Sequence, residues 1–407
     1  MDRLRINGDR LWQSLMELAR IGATPKGGVR RLTLTDLDRQ ARDLFARWAR
    51  EAGLSLEVDP VGNMFARRAG ADPDAAPVAM GSHLDSQPSG GKFDGAYGVM
   101  AGLEVMRTLN DAGIKTRAPL EVVSWTNEEG SRFTPVMMGS GVFAGVFPLG
   151  HVLGQKDLDN TTVEGALKSI GYAGEARPHR LGAYFEAHIE QGPVLEETKT
   201  TIGVVQGALG QRWFDAVITG QDAHAGPTPM HLRQDALIAA SRVVLEVNRI
   251  ALAFPDYARG TVGHMQVRPN SRNVVPGEVR MSVEFRSQKD ATLTAMVEEL
   301  RSNLKAIEAE CRVGIELAEV TYFPPCQFDA SLVDSVRDAA GALGYTRRDI
   351  VSGAGHDAVY VARVAPAAMI FVPCEGGISH NESESATPAD LAAGCNVLLH
   401  AALARAA

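Results

Sequence analysis

A segment between residues 77 and 125 constrains the fold most, because apolar runs and polar loops alternate along it at fixed spacing. Residues 77–80 predict a buried strand that ends at Gly81, residues 96–109 carry apolar side chains at helical spacing, and residues 120–125 predict a second strand. This pattern is typical of an α/β sheet, and open α/β sheets bind ligands at the carboxyl ends of their strands.

The loops next to these elements carry side chains that bind metals. They are His83, Asp85 and Asp94 before the predicted helix, and Glu128 and Glu129 after the second strand. Imidazole nitrogens and carboxylate oxygens are ligands of divalent metals of borderline softness. A carboxylate that stays uncoordinated beside such a metal can take a proton from its bound water. The segment therefore predicts a metal-dependent hydrolase.

Two further histidines extend this set. His188 lies near the end of a predicted strand in the run YFEAHIEQG, and His380 lies in the glycine-rich loop GGISHNE. If Asp94 is shared, the histidines and Glu129 supply enough ligands for two metals about 3.5 Å apart.

Five short motifs occur in order along nearly the whole chain. They are GSHLD with DG eight residues later, NEEGSRF, AHIEQGP, GQDAHAGPTPM and GISHNE. Together they resemble the hydantoinase/carbamoylase branch of the M20 dinuclear metallohydrolases, which includes N-carbamoyl-L-amino acid hydrolases, β-ureidopropionases and allantoate amidohydrolases. The resemblance implies a fold, a reaction and a set of site residues.

The resemblance implies two metal sites joined by Asp94. His83 and His188 complete the first site, and Glu129 and His380 complete the second. Glu128 is then the general base and does not bind metal. Asp85 is expected to orient His83, which fixes the tautomer of that imidazole and raises its basicity.

The resemblance also implies a set of substrate contacts. Asn273 and Arg286 are expected to hold a carboxylate, which a guanidinium binds through two hydrogen bonds. His224 is expected to reach the site of a neighbouring subunit and stabilise the oxyanion. Gln191 is expected to hydrogen-bond the substrate, and Gly355 belongs to a loop at the substrate pocket.

Two observations predict two domains, namely the length of the chain and the order of predicted elements in its middle part. A chain of 407 residues exceeds what one core usually supports. The middle predicts the ferredoxin-like order β-α-β-β-α-β, with strands over 212–220, 260–267, 279–285 and 314–323 and helices over 232–253 and 291–311. We therefore expect a two-domain α/β protein. A phosphorylase/hydrolase-like dinuclear catalytic domain (1–210 and 326–407) is interrupted by an inserted ferredoxin-like α+β lid/dimerisation domain (211–325).

The composition of the chain limits the kinds of partner that we expect the protein to bind and the compartment in which we expect it. The formal net charge of −8 argues against binding to nucleic acid or to an anionic membrane surface. The four cysteines form no CxxC pair, which favours a reducing compartment and a cytoplasmic location. The amino-terminal residues lack an apolar signal core, and no stretch is long and apolar enough to span a membrane.

The combined prediction is hydrolysis of the ureido C–N bond of N-carbamoyl-L-amino acids or N-carbamoyl-β-alanine, giving amino acid, carbon dioxide and ammonia. Two divalent ions per subunit (zinc, manganese, cobalt or nickel), a small ureido and carboxylate substrate, and a homodimer are expected.

Four alternatives stay open. They are an allantoate amidohydrolase, an M20 aminoacylase or peptidase that cleaves an amide bond, a binding protein that kept the fold without catalysis, and a serine amidase. His188 argues against the amide-cleaving relatives, which usually carry an acidic ligand there. No GxSxG motif supports the serine amidase.

Overall fold

The structure is a computed structural model that describes residues 4–254 and 257–407. The chain divides into two compact units, which we call the main unit (Met1–Gly207 and Gln327–Ala407) and the inserted unit (Ala208–Cys326).

The helices are α1 (Gly8–Leu18), α2 (Asp36–Glu51), α3 (Ala96–Asp111), α4 (Met138–Phe143), α5 (Leu149–Leu153), α6 (Val163–Ile170), α7 (Val194–Glu197), α8 (Ala236–Ala253), α9 (Asp290–Cys311), α10 (Ala330–Ala342), α11 (Asp357–Val361) and α12 (Pro388–Ala406), with 3₁₀ turns at Met230–Leu232 and Glu375–Gly377. The strands are β1 (Ser55–Val58), β2 (Met64–Arg68), β3 (Val78–His83), β4 (Leu120–Trp125), β5 (Ala183–Ile189), β6 (Ile202–Ala208), β7 (Gly210–Thr219), β8 (Ala223–His224), β9 (Arg259–Thr261), β10 (Met265–Arg268), β11 (Val274–Val275), β12 (Glu278–Ser287), β13 (Gly314–Phe323), β14 (Cys326–Gln327), β15 (Arg347–Ser352) and β16 (Ala367–Val372).

The main unit is built on a mixed sheet with the order β1-β2-β4-β3-β5-β16-β6-β14, and β15 also pairs with β6. The central neighbours β4, β3, β5 and β16 run parallel to one another. Every residue of these four strands is buried, as expected for parallel strands covered on both faces. The predicted α/β class is therefore confirmed.

Polar residues at the helix starts explain where several helices of the main unit begin. The Thr35 hydroxyl caps α2 by accepting from the backbone N–H of Asp38. The Asp329 carboxylate caps α10, and Thr387 caps α12 just before Pro388, whose fixed φ suits a first helical position.

The inserted unit has a sheet with the order β10-β12-β7-β13, in which β9 also pairs with β12. Helices α8 and α9 pack on this sheet, and their apolar faces share one core with β7 and β12. A separate two-stranded ribbon joins β8 to β11. The elements follow the predicted order β-α-β-β-α-β.

The structure corrects three predicted boundaries. The strand predicted over 260–267 is two short strands, because pairing with β12 is interrupted between β9 and β10. Helix α8 begins at Ala236, since the Asp235 carboxylate caps it through the N–H groups of Leu237 and Ile238. Strand β3 does not stop at Gly81, because a Cβ there would lie 2.0 Å from the Val123 oxygen and the bare glycine lets β4 pair closely.

In the described ranges, none of the helices has both the length and the apolar character that a bilayer crossing requires.

Candidate metal centre

The carboxyl ends of four parallel strands bring the predicted ligands to one edge of the main sheet. His83 is the last residue of β3 and pairs with Trp125, the last residue of β4, so Glu128 and Glu129 follow close by. His188 lies in β5 and pairs with Phe371 of β16. The loop after β16 carries His380. Parallel strands therefore account for the convergence of distant motifs.

Two groups of side chains share Asp94. The first contains His83, Asp94 and His188, and the second contains Asp94, Glu129 and His380. Asp94 Oδ1 lies 3.1 Å from His188 Nε2 and 3.7 Å from His83 Nε2. Asp94 Oδ2 lies 3.4 Å from His380 Nε2, which is 3.3 Å from Glu129 Oε2. The carboxylate thus presents one oxygen to each group.

Backbone contacts orient two of the imidazoles. The Nδ1 atoms of His83 and His188 lie 2.9 Å from the Asp85 carbonyl and 2.8 Å from the Ile189 carbonyl. A carbonyl oxygen only accepts, so each Nδ1 carries the proton. Each Nε2 is therefore the nitrogen that faces Asp94, and it can bind a metal ion once it is deprotonated. Gly95 has a φ of +64°, and a Cβ there would lie 2.3 Å from the His83 ring, so only glycine fits beside this histidine.

Asp85, expected to orient His83, contacts it mainly through its backbone. Its backbone carbonyl makes the short contact, whereas Oδ1 is 3.8 Å from His83 Nδ1. The carboxylate instead accepts from the backbone N–H groups of Glu128 and Glu129, both at 3.3 Å. Asp85 therefore fixes the loop that carries the candidate base and a candidate ligand.

Sequence reasoning missed Gln87, which holds Glu129. The Gln87 backbone N–H donates to Glu129 Oε1 at 3.0 Å, and its side-chain amide donates to Oε2 at 2.7 Å. Its amide oxygen accepts from the Ser131 hydroxyl at 3.1 Å. Gln87 follows His83 by four residues, and this position next to a predicted ligand could have identified it as a site residue from the sequence.

Sequence reasoning also missed Glu384, which joins the loops carrying Asp94 and His380. Glu384 Oε1 accepts from the N–H groups of Phe93 at 2.9 Å and Asp94 at 3.1 Å. Glu384 Oε2 accepts from the Ser379 hydroxyl at 3.0 Å. A Cβ on Gly91 would lie 2.0 Å from this carboxylate, so the glycine makes room for it.

Gln191, predicted to contact substrate, points at the shared carboxylate. Its side-chain amide donates to Asp94 Oδ2 at 3.0 Å and to the Ser379 hydroxyl at 3.1 Å. Gln191 and His380 both have left-handed backbones, with φ of 58° and 54°. Such strain in non-glycine residues clusters at functional sites.

The buried carboxylates around Asp94 favour the binding of positive charge, either as protons or as a cation. Burial lowers the pKa of His83, but the Glu128, Asp94 and Asp85 carboxylates outweigh it and raise that pKa well above its usual value. Burial likewise opposes protonation of His188, yet the hydrogen bond to Asp94 raises its pKa. Burial and the Asp94 charge raise the pKa of Glu129 to about 8. The donor set and this charge balance both fit a divalent cation.

Glu128 lies beside the first group. Its Oε2 is 3.5 Å from His83 Nε2, and burial raises the pKa of its carboxyl well above the usual range. Within residues 4–254 and 257–407, Glu128 joins neither of the two groups around Asp94. Its role in proton transfer stays a prediction.

A third group, Glu186, His188 and His356, is occupied by internal hydrogen bonds. Glu186 accepts from the Ser82 hydroxyl at 2.7 Å and the Ala358 N–H at 2.8 Å. His356 Nε2 contacts the Ser352 hydroxyl at 2.8 Å. We interpret this group as support for His188.

A cavity of about 160 Å³ lies at the centre of these groups. Eight of the twelve predicted site residues line it, namely His83, Asp94, Glu128, Glu129, His188, Gln191, Gly355 and His380. Asp85 lies behind it, bonded to the loop of Glu128.

The other three predicted residues belong to the inserted unit. His224 and Asn273 are both exposed. His224 pairs with Val274 of β11, and Asn273 directly precedes that strand, where its carbonyl accepts from the Ala225 N–H at 2.8 Å. Arg286 lies on β12, and its Nε donates to Glu284 Oε1 at 2.5 Å. Their roles toward a substrate stay predictions.

Comparison with known proteins identifies the family. The profile described as peptidase family M20/M25/M40 matches residues 79–404. The chain belongs to this family. An N-carbamoyl-L-amino-acid amidohydrolase of Rhizobium meliloti is 49% identical over 401 residues, which cover 98% of this chain and 96% of the relative. An allantoate amidohydrolase of Bacillus subtilis is 33% identical over 385 residues, covering 94% and 93%.

A solved structure supports the same relationship. The amidase of the hydantoinase/carbamoylase family from Burkholderia multivorans superposes with a TM-score of 0.97, at 58% identity and over 99% of this chain and 98% of the other. These M20 relatives confirm the resemblance that the five motifs carried, and the chain is an amidohydrolase-type enzyme.

Proposed function

We propose that this protein hydrolyses the ureido C–N bond of N-carbamoyl-L-amino acids with two divalent metal ions. The observation that carries the proposal is the position of Asp94, whose two oxygens face two separate histidine-containing groups while Glu128 stays outside both. The 49% identical relative named N-carbamoyl-L-amino-acid amidohydrolase supports the substrate class.

The residues of the main unit supply the ligands. His83 and His188 would hold one ion, Glu129 and His380 the other, and Asp94 would bridge them. When bound, the ions polarise the ureido carbonyl and lower the pKa of a bound water. Zinc, manganese, cobalt and nickel all suit this mixture of imidazole and carboxylate ligands.

Glu128 moves the proton in this proposal. Its carboxylate takes a proton from the water that attacks the ureido carbon, and it then delivers that proton to the nitrogen of the departing amino acid. The C–N bond breaks, and the carbamic acid that is released decomposes to carbon dioxide and ammonia. A positioned general base contributes about 10²–10⁴-fold in rate.

We assign substrate recognition to the three polar residues of the inserted unit. Arg286 and Asn273 would bind the substrate carboxylate, because a guanidinium and an amide both donate to carboxylate oxygens. His224 would donate to the oxyanion in the site of the partner subunit. In this scheme the main unit is the catalytic domain, and the inserted unit is the lid and dimerisation domain.

A homodimer is part of the proposal. Helix α8 exposes Ile238 by 50%, Leu245 by 69% and Leu252 by 79%. Residues seven apart share one helix face, so these side chains form an apolar stripe that a second copy would cover. A Leu245→Glu change should convert dimers to monomers in light scattering and lower activity through loss of the partner's histidine.

We propose a cytoplasmic location, because Cys311, Cys374 and Cys395 are free thiols.

Release of amino acid and ammonia from a substrate panel tests the function. The protein is treated with a chelator, restored with Mn²⁺, Zn²⁺ or Co²⁺, and given N-carbamoyl-L-amino acids, N-carbamoyl-β-alanine and allantoate. We expect metal-dependent turnover of the N-carbamoyl-L-amino acids. N-acetyl amino acids and dipeptides are the controls, and faster cleavage of these would favour an amide hydrolase. Allantoate is the second candidate, since the Bacillus subtilis relative bears that name at 33% identity.

A further inference from the structure

The cavity of the metal centre has a chemically distinct wall that the mechanism does not use. Val136, Met137, Ala354 and Gly355 are its apolar and small lining residues, and we call them the apolar wall. The rest of the lining consists of imidazoles, carboxylates and amides. Among the described residues that line the cavity there is no lysine or arginine.

The backbone ties the apolar wall to the candidate base. The Met137 N–H donates to the Glu128 carbonyl at 2.7 Å, and the Met138 N–H donates to the Asn127 carbonyl at 3.1 Å. The buried Asn127 side chain donates to the carbonyls of Phe133 at 2.8 Å and Pro135 at 3.1 Å. The position of the wall is therefore fixed relative to Glu128, where the scissile bond must lie.

Two glycines make space for the wall. A Cβ on Gly355 would lie 3.1 Å from the Met137 terminal methyl, and a Cβ on Gly130 would lie 2.4 Å from Val136 Cγ1. Met137 is only 7% exposed, whereas Val136 is 43% exposed. The wall thus has a deep, flexible member and an accessible one.

We infer that Val136 and Met137 contact the side chain of the substrate amino acid and select for apolar side chains. This inference rests on the proposed function and names its substrate class as N-carbamoyl-L-amino acids with side chains such as those of leucine and methionine. A thioether is adaptable and packs well against apolar groups of varied shape. An acidic side chain would find no lysine or arginine partner among the described lining residues, and N-carbamoyl-β-alanine has no side chain to bury.

The test is the ratio of kcat/KM for N-carbamoyl-L-leucine to that for N-carbamoylglycine. We expect the wild-type ratio to exceed about 10, because one or two methylenes in an apolar pocket change specificity about 10–200-fold. Met137→Ala should lower the ratio about 10–100-fold. Val136→Ala should lower it about 3–10-fold, since this side chain is partly exposed.

Two controls accompany the test. Met137→Leu keeps an apolar side chain of similar volume, so it should keep the ratio within about 3-fold of wild type. Met16→Ala removes a partly buried methionine from α1, outside the cavity, and should leave the ratio unchanged. If Met137→Ala fails to fold, the ratio measured for Val136→Ala tests the inference, because the Val136 side chain is partly exposed and its truncation should not prevent folding.

The possible outcomes separate a failure of the proposed function from a failure of the role assigned to the apolar wall. If wild-type protein hydrolyses neither ureido substrate, the proposed function fails. If it hydrolyses both and the alanine variants leave the ratio unchanged, the function stands and the assignment of the apolar wall is overturned. Efficient hydrolysis of N-carbamoyl-L-aspartate would also overturn it.

Discussion

The two units of the molecule hold most of their polar site residues in opposite ways, and His380 of the main unit is the exposed exception among the described metal-site residues. In the main unit, His83 is 2% exposed, Asp94 8% and Glu129 9%, and hydrogen bonds from the surrounding loops fix each of them. In the inserted unit, His224 and Asn273 are exposed, and Arg286 is bonded to the neighbouring Glu284. The fold itself organises the first set of residues, whereas the second set would act, in the proposed function, only on a bound substrate or a partner subunit.

The largest expected effect concerns Glu128 in the buried region. Glu128→Gln should lower kcat about 10²–10⁴-fold and leave the bound metal in place, because the amide cannot accept the proton. Glu129→Gln is the matched variant, and it should lose metal from one site. Turnover and metal content measured on both variants check the assignment, which is contradicted if Glu128→Gln hydrolyses substrate normally.

The second largest expected effect concerns Arg286 of the inserted unit. Arg286→Lys should lower kcat/KM about 10–100-fold, mainly through KM, because a lysine replaces a forked carboxylate contact with a single charge. Arg280→Lys is the matched control, since Arg280 lies on the same strand and pairs in the same way with the glutamate two residues before it. Equal kinetics for the two variants would show that Arg286 does not bind substrate.

Glu384 tests whether burial and hydrogen bonding prepare the metal ligands. Glu384→Gln should weaken metal binding about 10-fold or more, because an amide group then faces one of the donors that the carboxylate now satisfies. Glu382→Gln, in the same loop and paired only distantly with Lys26 at 3.7 Å, is the control. Metal dissociation constants from competition with a chelating dye measure the effect, and unchanged values would assign Glu384 a purely structural role.

The smallest expected effect is on stability. The stability contributed by one buried acid of the main unit and by one acid of the inserted unit should depend on pH with opposite sign. Burial raises the pKa of Asp59 in the main unit to about 6, despite hydrogen bonds from Asn63 and Val61. A raised pKa means that the folded state binds the proton more tightly than the unfolded chain. The stability contributed by protonated Asp59 is therefore present below pH of about 4 and is lost as pH rises through about 6.

Glu246 in the inserted unit shows the opposite sign. The hydrogen bond from Arg249 lowers the pKa of Glu246, so its contribution is present above the unfolded pKa and is lost as pH falls. For an exposed pair the effect is below about 1 kcal/mol. Melting temperatures of Asp59→Asn and Glu246→Gln relative to wild type, measured from about pH 3 to 8 so that both titrations are covered, should change in opposite directions, and parallel changes would contradict this.

The sequence predicted those parts of the fold and site that depend on local pattern. The bounds of β4 were predicted as observed, because all six of its residues are buried and an apolar run marks such a strand. The ligand motifs followed strand ends, and the parallel sheet then explains why His83, His188 and His380 converge. The pattern alone could not show this convergence, which depends on strand order.

Other features depend on contacts between distant residues, so no local pattern contained them. The interruption between β9 and β10 reflects pairing with β12. The roles of Gln87 and Glu384 depend on hydrogen bonds to residues 42 and about 290 positions away. The division of roles within Asp85, whose carbonyl contacts His83 while its carboxylate accepts from the loop after β4, also depends on such contacts.

Metal titration of chelated protein tests the central claim most directly. Calorimetry with Zn²⁺ or Mn²⁺ should give two ions per wild-type chain. His188→Ala and His380→Ala should each lose one ion, and Asp94→Ala should lose tight binding of both. If Asp94→Ala still binds two ions, or if the two histidine variants lose the same ion, the shared carboxylate is not the bridge and the dinuclear account is wrong.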